Sequence, residues 1–72
     1  MVNLDEVVVS VEEFEAIRLK DLGGLEQGEC ANKMKISQPT FHRLVVSARK
    51  KIADGIVNGK AIKIEGGNFS IK

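Results

Sequence analysis

The stretch Gln27–Val46, QGECANKMKISQPTFHRLVV, decides the fold. Counted from Gln27, apolar residues occupy positions four, eight, ten, fifteen and eighteen of a twenty-residue frame: Cys30, Met34, Ile36, Phe41 and Leu44. Ala31, at position five, stands where two helices crossing steeply leave room only for a small side chain. The remaining positions are mostly polar, which is the pattern of two short helices sharing one core face. Ser37-Gln38-Pro39-Thr40 marks the corner between them. A serine N-cap accepts a bond from an orphan backbone N–H, and proline fits a first turn because its missing N–H has no helical partner. Pro39 also disfavours helical geometry at Gln38, so one continuous helix is not expected. Lys35 falls at position nine, where a left-handed backbone is expected and glycine is usual; a non-glycine residue there costs about 1 kcal/mol.

Working outward, the chain of 72 residues makes one small domain with a modest core. One cysteine excludes an intrachain disulfide, and one cysteine with one histidine exclude a Cys/His zinc site. No apolar run reaches membrane-spanning length and no signal-peptide pattern opens the chain, so a cytoplasmic protein without membrane attachment is the expectation. The net charge is +1, but its distribution is polar: residues 1–30 balance at −6 and residues 31–72 at +7. That asymmetry suits a module whose basic half meets a polyanion while the acidic half faces away; segregated solvated faces are the plainer alternative.

Before the central stretch, Val7–Val9 is β-branched and reads as a short strand or extended lead-in. Ser10-Val11-Glu12-Glu13 is a capping box that opens a helix over 11–22, with Phe14, Ile17 and Leu22 expected inside. Gly23-Gly24 ends it, and a second helix comes next over 26–34. The third and longest helix spans 38–57 and closes at Asn58-Gly59 with a left-handed residue. Phe41, Leu44, Val45, Ala48 and Ile52 form its core stripe, and Val46, Ala53 and Val57 make a weaker second line that asks for a cover. Residues 61–72 switch to a period of two. With Gly66-Gly67 as the turn they predict a hairpin pairing Ile64 with Phe69 and Ile62 with Ile71, docked on the third helix, on Val7–Val9 or on a neighbour. The expected fold is therefore mostly α: three helices including a helix-turn-helix, with a C-terminal β-hairpin.

In such a fold the third helix enters the major groove of duplex DNA. Gln38, His42 and Arg43 are the candidates for base edges, since Arg bonds guanine and Gln adenine in bidentate fashion. Lys33, Ser37, Thr40, Arg49 and Lys50 are the candidates for phosphates, which position the protein without reading sequence. A solvated polar face on a structural helix is the competing reading. His42 has no sequence-near acid or nucleophile, and GIVNGK over 55–60 lacks both the spacing and the Ser/Thr of a phosphate-binding loop. No convergent acid, base and nucleophile can be named, so neither an enzyme nor a cofactor is expected. The rival to DNA binding is a protein-interaction module acting through the apolar side of the third helix and the hairpin. The expected cover for the second apolar line is either the terminal segments or a second copy of the chain, the latter making a homodimer.

The strings VSVEEFEAIRLKDL, SQPTFHRLVVSARKKIADGIVNGKA and IEGG resemble a family of small predicted DNA-binding proteins that carries a domain-of-unknown-function label. Its helix-turn-helix is similar to the fourth region of sigma factors. The match covers Leu4 to Gly67, with the SxPTFxRxxxSARxKxA string its most specific part. The resemblance implies a DNA-binding transcription regulator. Gly55 stands where alanine is more typical and Glu26 where a serine cap is common. Family members commonly carry a basic, proline-containing segment ahead of the first helix, whereas this sequence begins close to that helix.

Overall fold

The structure, a computed structural model, describes residues 5–65. Strand β1, Glu6–Val9, leads into helix α1, Val11–Ile17, which runs directly into a π-helical turn over Arg18–Leu22. Helix α2, Gln27–Met34, and helix α3, Gln38–Asn58, come next, and the strand β2, Ala61–Ile64, returns to β1. Each boundary has a local cause. Ser10 caps α1 by accepting from the Glu13 N–H at 3.1 Å while its own N–H donates to the Glu13 carboxylate at 2.8 Å. Ser37 caps α3, accepting from the Thr40 N–H at 3.3 Å, with Pro39 in the first turn. Lys35 ends α2 at φ 58°, and Gly59 ends α3 at φ 65°, both left-handed as their positions predict.

Helix α1 differs from its expected packing. Ala16 and Leu19 are buried, Phe14 and Ile17 are half-buried, and Leu22 is 84% exposed. The π-turn is the reason: the Gly23 N–H donates to the Arg18 carbonyl five residues back, at 2.9 Å, which widens the turn and rotates the next residues out of phase. Leu25, three residues further on, packs against the core cluster while Leu22 does not. The core itself joins Ala16, Leu19, Cys30, Ala31, Phe41 and Val45, with Met34, Ile36 and Leu44 against it. Phe41 is 1% exposed and is the largest fully buried side chain.

The C-terminal strand forms a parallel pair where a hairpin is expected. Among the described residues Ala61–Ile64 pairs with β1, and the pairing is parallel, with Val7 opposite Ile62 and Val9 opposite Ile64. Three intervening helices return the chain in the same direction, and the ladder satisfies the Ala61 and Glu65 N–H groups on the Asp5 and Val9 carbonyls at 2.9 and 3.0 Å. Val7 and Val9 already face inward, so the paired isoleucines extend one apolar face across α3. The Gly66-Gly67 turn and its Phe69 and Ile71 partners lie outside the described residues. The strand reaches α3 closely at Gly55, where an added Cβ would stand 2.8 Å from Ile62 Cγ1. Alanine at 55 would improve helix propensity but require the Ile62 side chain to shift, which gives the glycine a packing reason.

Glu13 ties these layers together. It is 5% exposed, accepts from Lys51 Nζ at 2.9 Å, and accepts the Ser47 hydroxyl as well, so one carboxylate joins the start of α1 to the middle of α3. Burial works to raise its pKa; the Ser47 hydroxyl, the Ser10 N–H and the Lys51 ammonium outweigh that and hold it at about 2. A carboxylate whose folded pKa lies below its unfolded value stabilises the fold above the unfolded value and loses that contribution as pH falls through the folded one. The contribution is on the order of 3 kcal/mol, present above about pH 4.5 and lost toward pH 2. Urea denaturation followed by circular dichroism at pH 7 and pH 3 checks this. Glu13→Gln should be less stable at pH 7 and lose far less on acidification; an unchanged acid sensitivity would place the titrating group elsewhere.

Candidate nucleic-acid interface

The two helices α2 and α3 meet at a three-residue corner, Lys35–Ser37, and the core residue Phe41 anchors the first turns of α3. With Phe41, Val45 and Ala48 turned inward, the other side of the same turns must face solvent. Gln38, His42 and Arg43 are all exposed there, and Ser37 is exposed beside them. The Ser37 hydroxyl donates to Thr40 Oγ1 at 2.9 Å, which fixes both hydroxyls at the helix start. Gln38 reaches back across α2: a Cβ added at Gly28 would lie 3.4 Å from its Nε2. No acidic residue sits in the first turn of α3, although the helix dipole would favour one there. The helix start therefore keeps its positive end unneutralised, with neutral donors and Arg43 around it.

The remaining candidates are placed differently. Arg49 is exposed but engaged: its Nε and Nη2 bond the two carboxylate oxygens of Asp21 at 3.0 and 2.5 Å. The pairing lowers the Asp21 pKa and raises that of Arg49, in both cases chiefly through the hydrogen bonds between them. Lys33, at the end of α2, lines a shallow groove with Val11, Glu12, Glu15 and Met34, so its neighbours are the carboxylates of α1. Lys50 is exposed on the outer side of α3, two turns beyond Arg43. The structure thus gathers Ser37, Gln38, Thr40, His42 and Arg43 at one end of α3 and sets Lys33, Arg49 and Lys50 apart from it.

Sequence reasoning missed Asp21 as the partner of Arg49, and Ser47 and Lys51 as partners of Glu13. Both links span about eight turns' worth of chain or more, and no local spacing signals them. Among the described residues no group of three or more His, Cys, Asp or Glu is arranged to hold a metal ion. No described helix is long and apolar enough to cross a membrane.

These features define a small helical domain with a two-helix corner, an exposed polar helix start and a two-stranded parallel lid. The chain belongs to the family described as protein of unknown function DUF134, whose model matches residues 1–72. It is 66% identical over 68 residues to a UPF0251 protein of Caldanaerobacter subterraneus, covering 94% of this chain and 58% of that one. A UPF0251 protein of Thermoanaerobacter is likewise 66% identical over 68 residues, covering 94% and 60%. One from Pelotomaculum thermopropionicum is 59% identical over 71 residues, covering 99% and 54%. The chain therefore spans little more than half the length of these curated relatives. No solved structure matches it.

The corner gives a direct test of backbone strain. Lys35 holds φ 58° with a side chain that favours φ below zero. Lys35→Gly should raise stability by about 1 kcal/mol, read as a higher urea midpoint with an unchanged slope. A loss of stability would show that the lysine side chain compensates for its own backbone.

Proposed function

We propose that this domain binds duplex DNA in a sequence-specific manner as a small transcription regulator and performs no chemistry of its own. On this reading α2 and α3 form a helix-turn-helix of the sigma region-four type and α3 is the recognition helix. The observation that carries it is the exposed set Gln38, His42 and Arg43 on the outer side of turns whose inner side is anchored by Phe41. A helix held this firmly can present short-range donors to base edges without ordering a loop first. Gln38, His42 and Arg43 read bases, while Ser37 and Thr40 bond the phosphate beside the helix start.

Arg49 supplies a phosphate contact only by leaving Asp21, and Lys33 contributes least because Glu12 and Glu15 stand beside it. The charge asymmetry of the chain, −6 over residues 1–30 and +7 over residues 31–72, agrees with a basic half that meets a polyanion. The alternative, a protein-interaction module, draws support from the exposed Val46 and Val57, but that line is distinct from the polar helix start.

Fluorescence anisotropy on duplexes recovered from a pull-down of genomic fragments tests the reading. The logarithmic salt slope should have a magnitude of about 3 to 6, and affinity that stays flat with salt would overturn the electrostatic part. Arg43→Ala should cost about 1–3 kcal/mol on a recovered site and relax preference at one base position, with little loss on scrambled duplex. Equal loss on both would make Arg43 a phosphate contact. Asp21→Asn frees Arg49 and should tighten binding on every sequence while steepening the salt slope by about one. Unchanged binding would mean that Arg49 takes no part.

A further inference from the structure

From Val46 onward α3 carries a surface that neither the core nor the polar helix start uses. At the angular step of a regular helix, Val46, Ala53 and Val57 fall within about 40° of one another on the outer side. All three are exposed, Val46 at 49% and Val57 at 78%. Beside them runs a shallow groove lined by Ser47, Lys50, Lys51, Ala53 and Asp54. Lys50 and Asp54 lie one turn apart on the same flank of the apolar line.

Two properties of this surface select its occupant. The residues Val46, Lys50, Ala53 and Val57 are spaced four, three and four apart, so the line reads the same from either end. The flank is also self-complementary in charge, because reversing its direction sets a lysine beside an aspartate. We propose that a second copy of this chain pairs along it, α3 antiparallel to α3, about a twofold axis between Lys51 and Ile52. Val46 then meets Val57 of the second copy, and Lys50 lies opposite Ala53 and beside Asp54 of the second copy. Each of these contacts occurs twice. Ala53 near the centre lets the helices approach closely. Asp54 accepts from Lys60 at 2.9 Å and Asn58 at 2.6 Å within its own chain, and its oxygens keep lone pairs for the incoming ammonium. Lys50 thereby passes from the expected phosphate set to the dimer seam.

The pairing also fixes where the two polar helix starts stand. The centre of Gln38–Arg43 is eleven residues from the axis, about 16 Å along the helix, so the two copies present these stretches about 33 Å apart. Half-sites one turn of duplex apart are separated by about 34–36 Å. This last match rests on the DNA-binding reading; the pairing itself does not. The contact runs along twelve residues, about 18 Å of helix, which belongs to the small and reversible class of interfaces.

Sedimentation equilibrium on the full chain without DNA, from micromolar to millimolar concentration, tests the pairing. The wild type should show a reversible monomer–dimer equilibrium. Lys50→Glu and Asp54→Lys should each weaken self-association about tenfold or more, and their equimolar mixture should recover it, because the two altered chains complement each other. Ala53→Glu, at an exposed position, should abolish association with its helical circular dichroism intact. A wild type that stays monomeric throughout overturns the proposal and leaves the face to a different partner. So does a dimer that all three substitutions leave unchanged, or a mixture that recovers nothing. Duplex binding by one copy per site would overturn the half-site spacing and leave both the pairing in free solution and the DNA reading standing. A dimer with no affinity for duplex would sink the DNA reading alone.

Discussion

The carboxylate of Glu13 is the buried charge on which the arrangement of helices depends. It closes the capping box of α1 on one side and accepts from Ser47 and Lys51 of α3 on the other. A buried charge is tolerated only when its lone pairs are taken up, and here a hydroxyl, a backbone N–H and an ammonium do so. Removing any one partner leaves a desolvated charge, so the angle between α1 and α3 is fixed more firmly than apolar contact alone would fix it. That angle in turn positions β1, because the strand precedes Ser10 directly, and with β1 it positions the parallel partner β2.

The same long helix answers to several demands, separated around its circumference and along its length. Its inner stripe, Phe41, Val45 and Ala48, is fully committed to the core. Gly55 continues that side where Ile62 of β2 comes close. The start of the outer side is polar and free of acids, and the later part is apolar and exposed. A rigid helix keeps these regions in fixed relation, so the pairing proposed for the later part of α3 would set the distance between the two starts.

How much of this the sequence reveals depends on the range of each interaction. The caps at Ser10 and Ser37, the left-handed Lys35 and Gly59, and the burial of Cys30, Ala31 and Phe41 all arise from contacts within a few residues or from a helical repeat, and all were legible. The parallel pairing was not legible because period-two alternation identifies a strand without identifying its partner. Val7–Val9 and Ala61–Ile64 each read as extended, yet parallel pairing across three helices leaves no local signature. Leu22 was misplaced because a π-turn has no distinctive sequence pattern and shifts the helical phase after it. For the candidate interface, exposure of Gln38, His42 and Arg43 followed from the core stripe, while the capture of Arg49 by Asp21 depended on tertiary proximity that spacing does not encode.

On the proposed function the exposed start of α3 meets duplex DNA. Nuclear magnetic resonance titration of the isotopically labelled chain with a short duplex reports this residue by residue. Amide shifts should change first and most over Ser37, Gln38 and Thr40–Arg43, with the amides of Glu12 and Glu15 on α1 nearly still. Shifts concentrated on α1, or no change at duplex concentrations well above that of the protein, would contradict it.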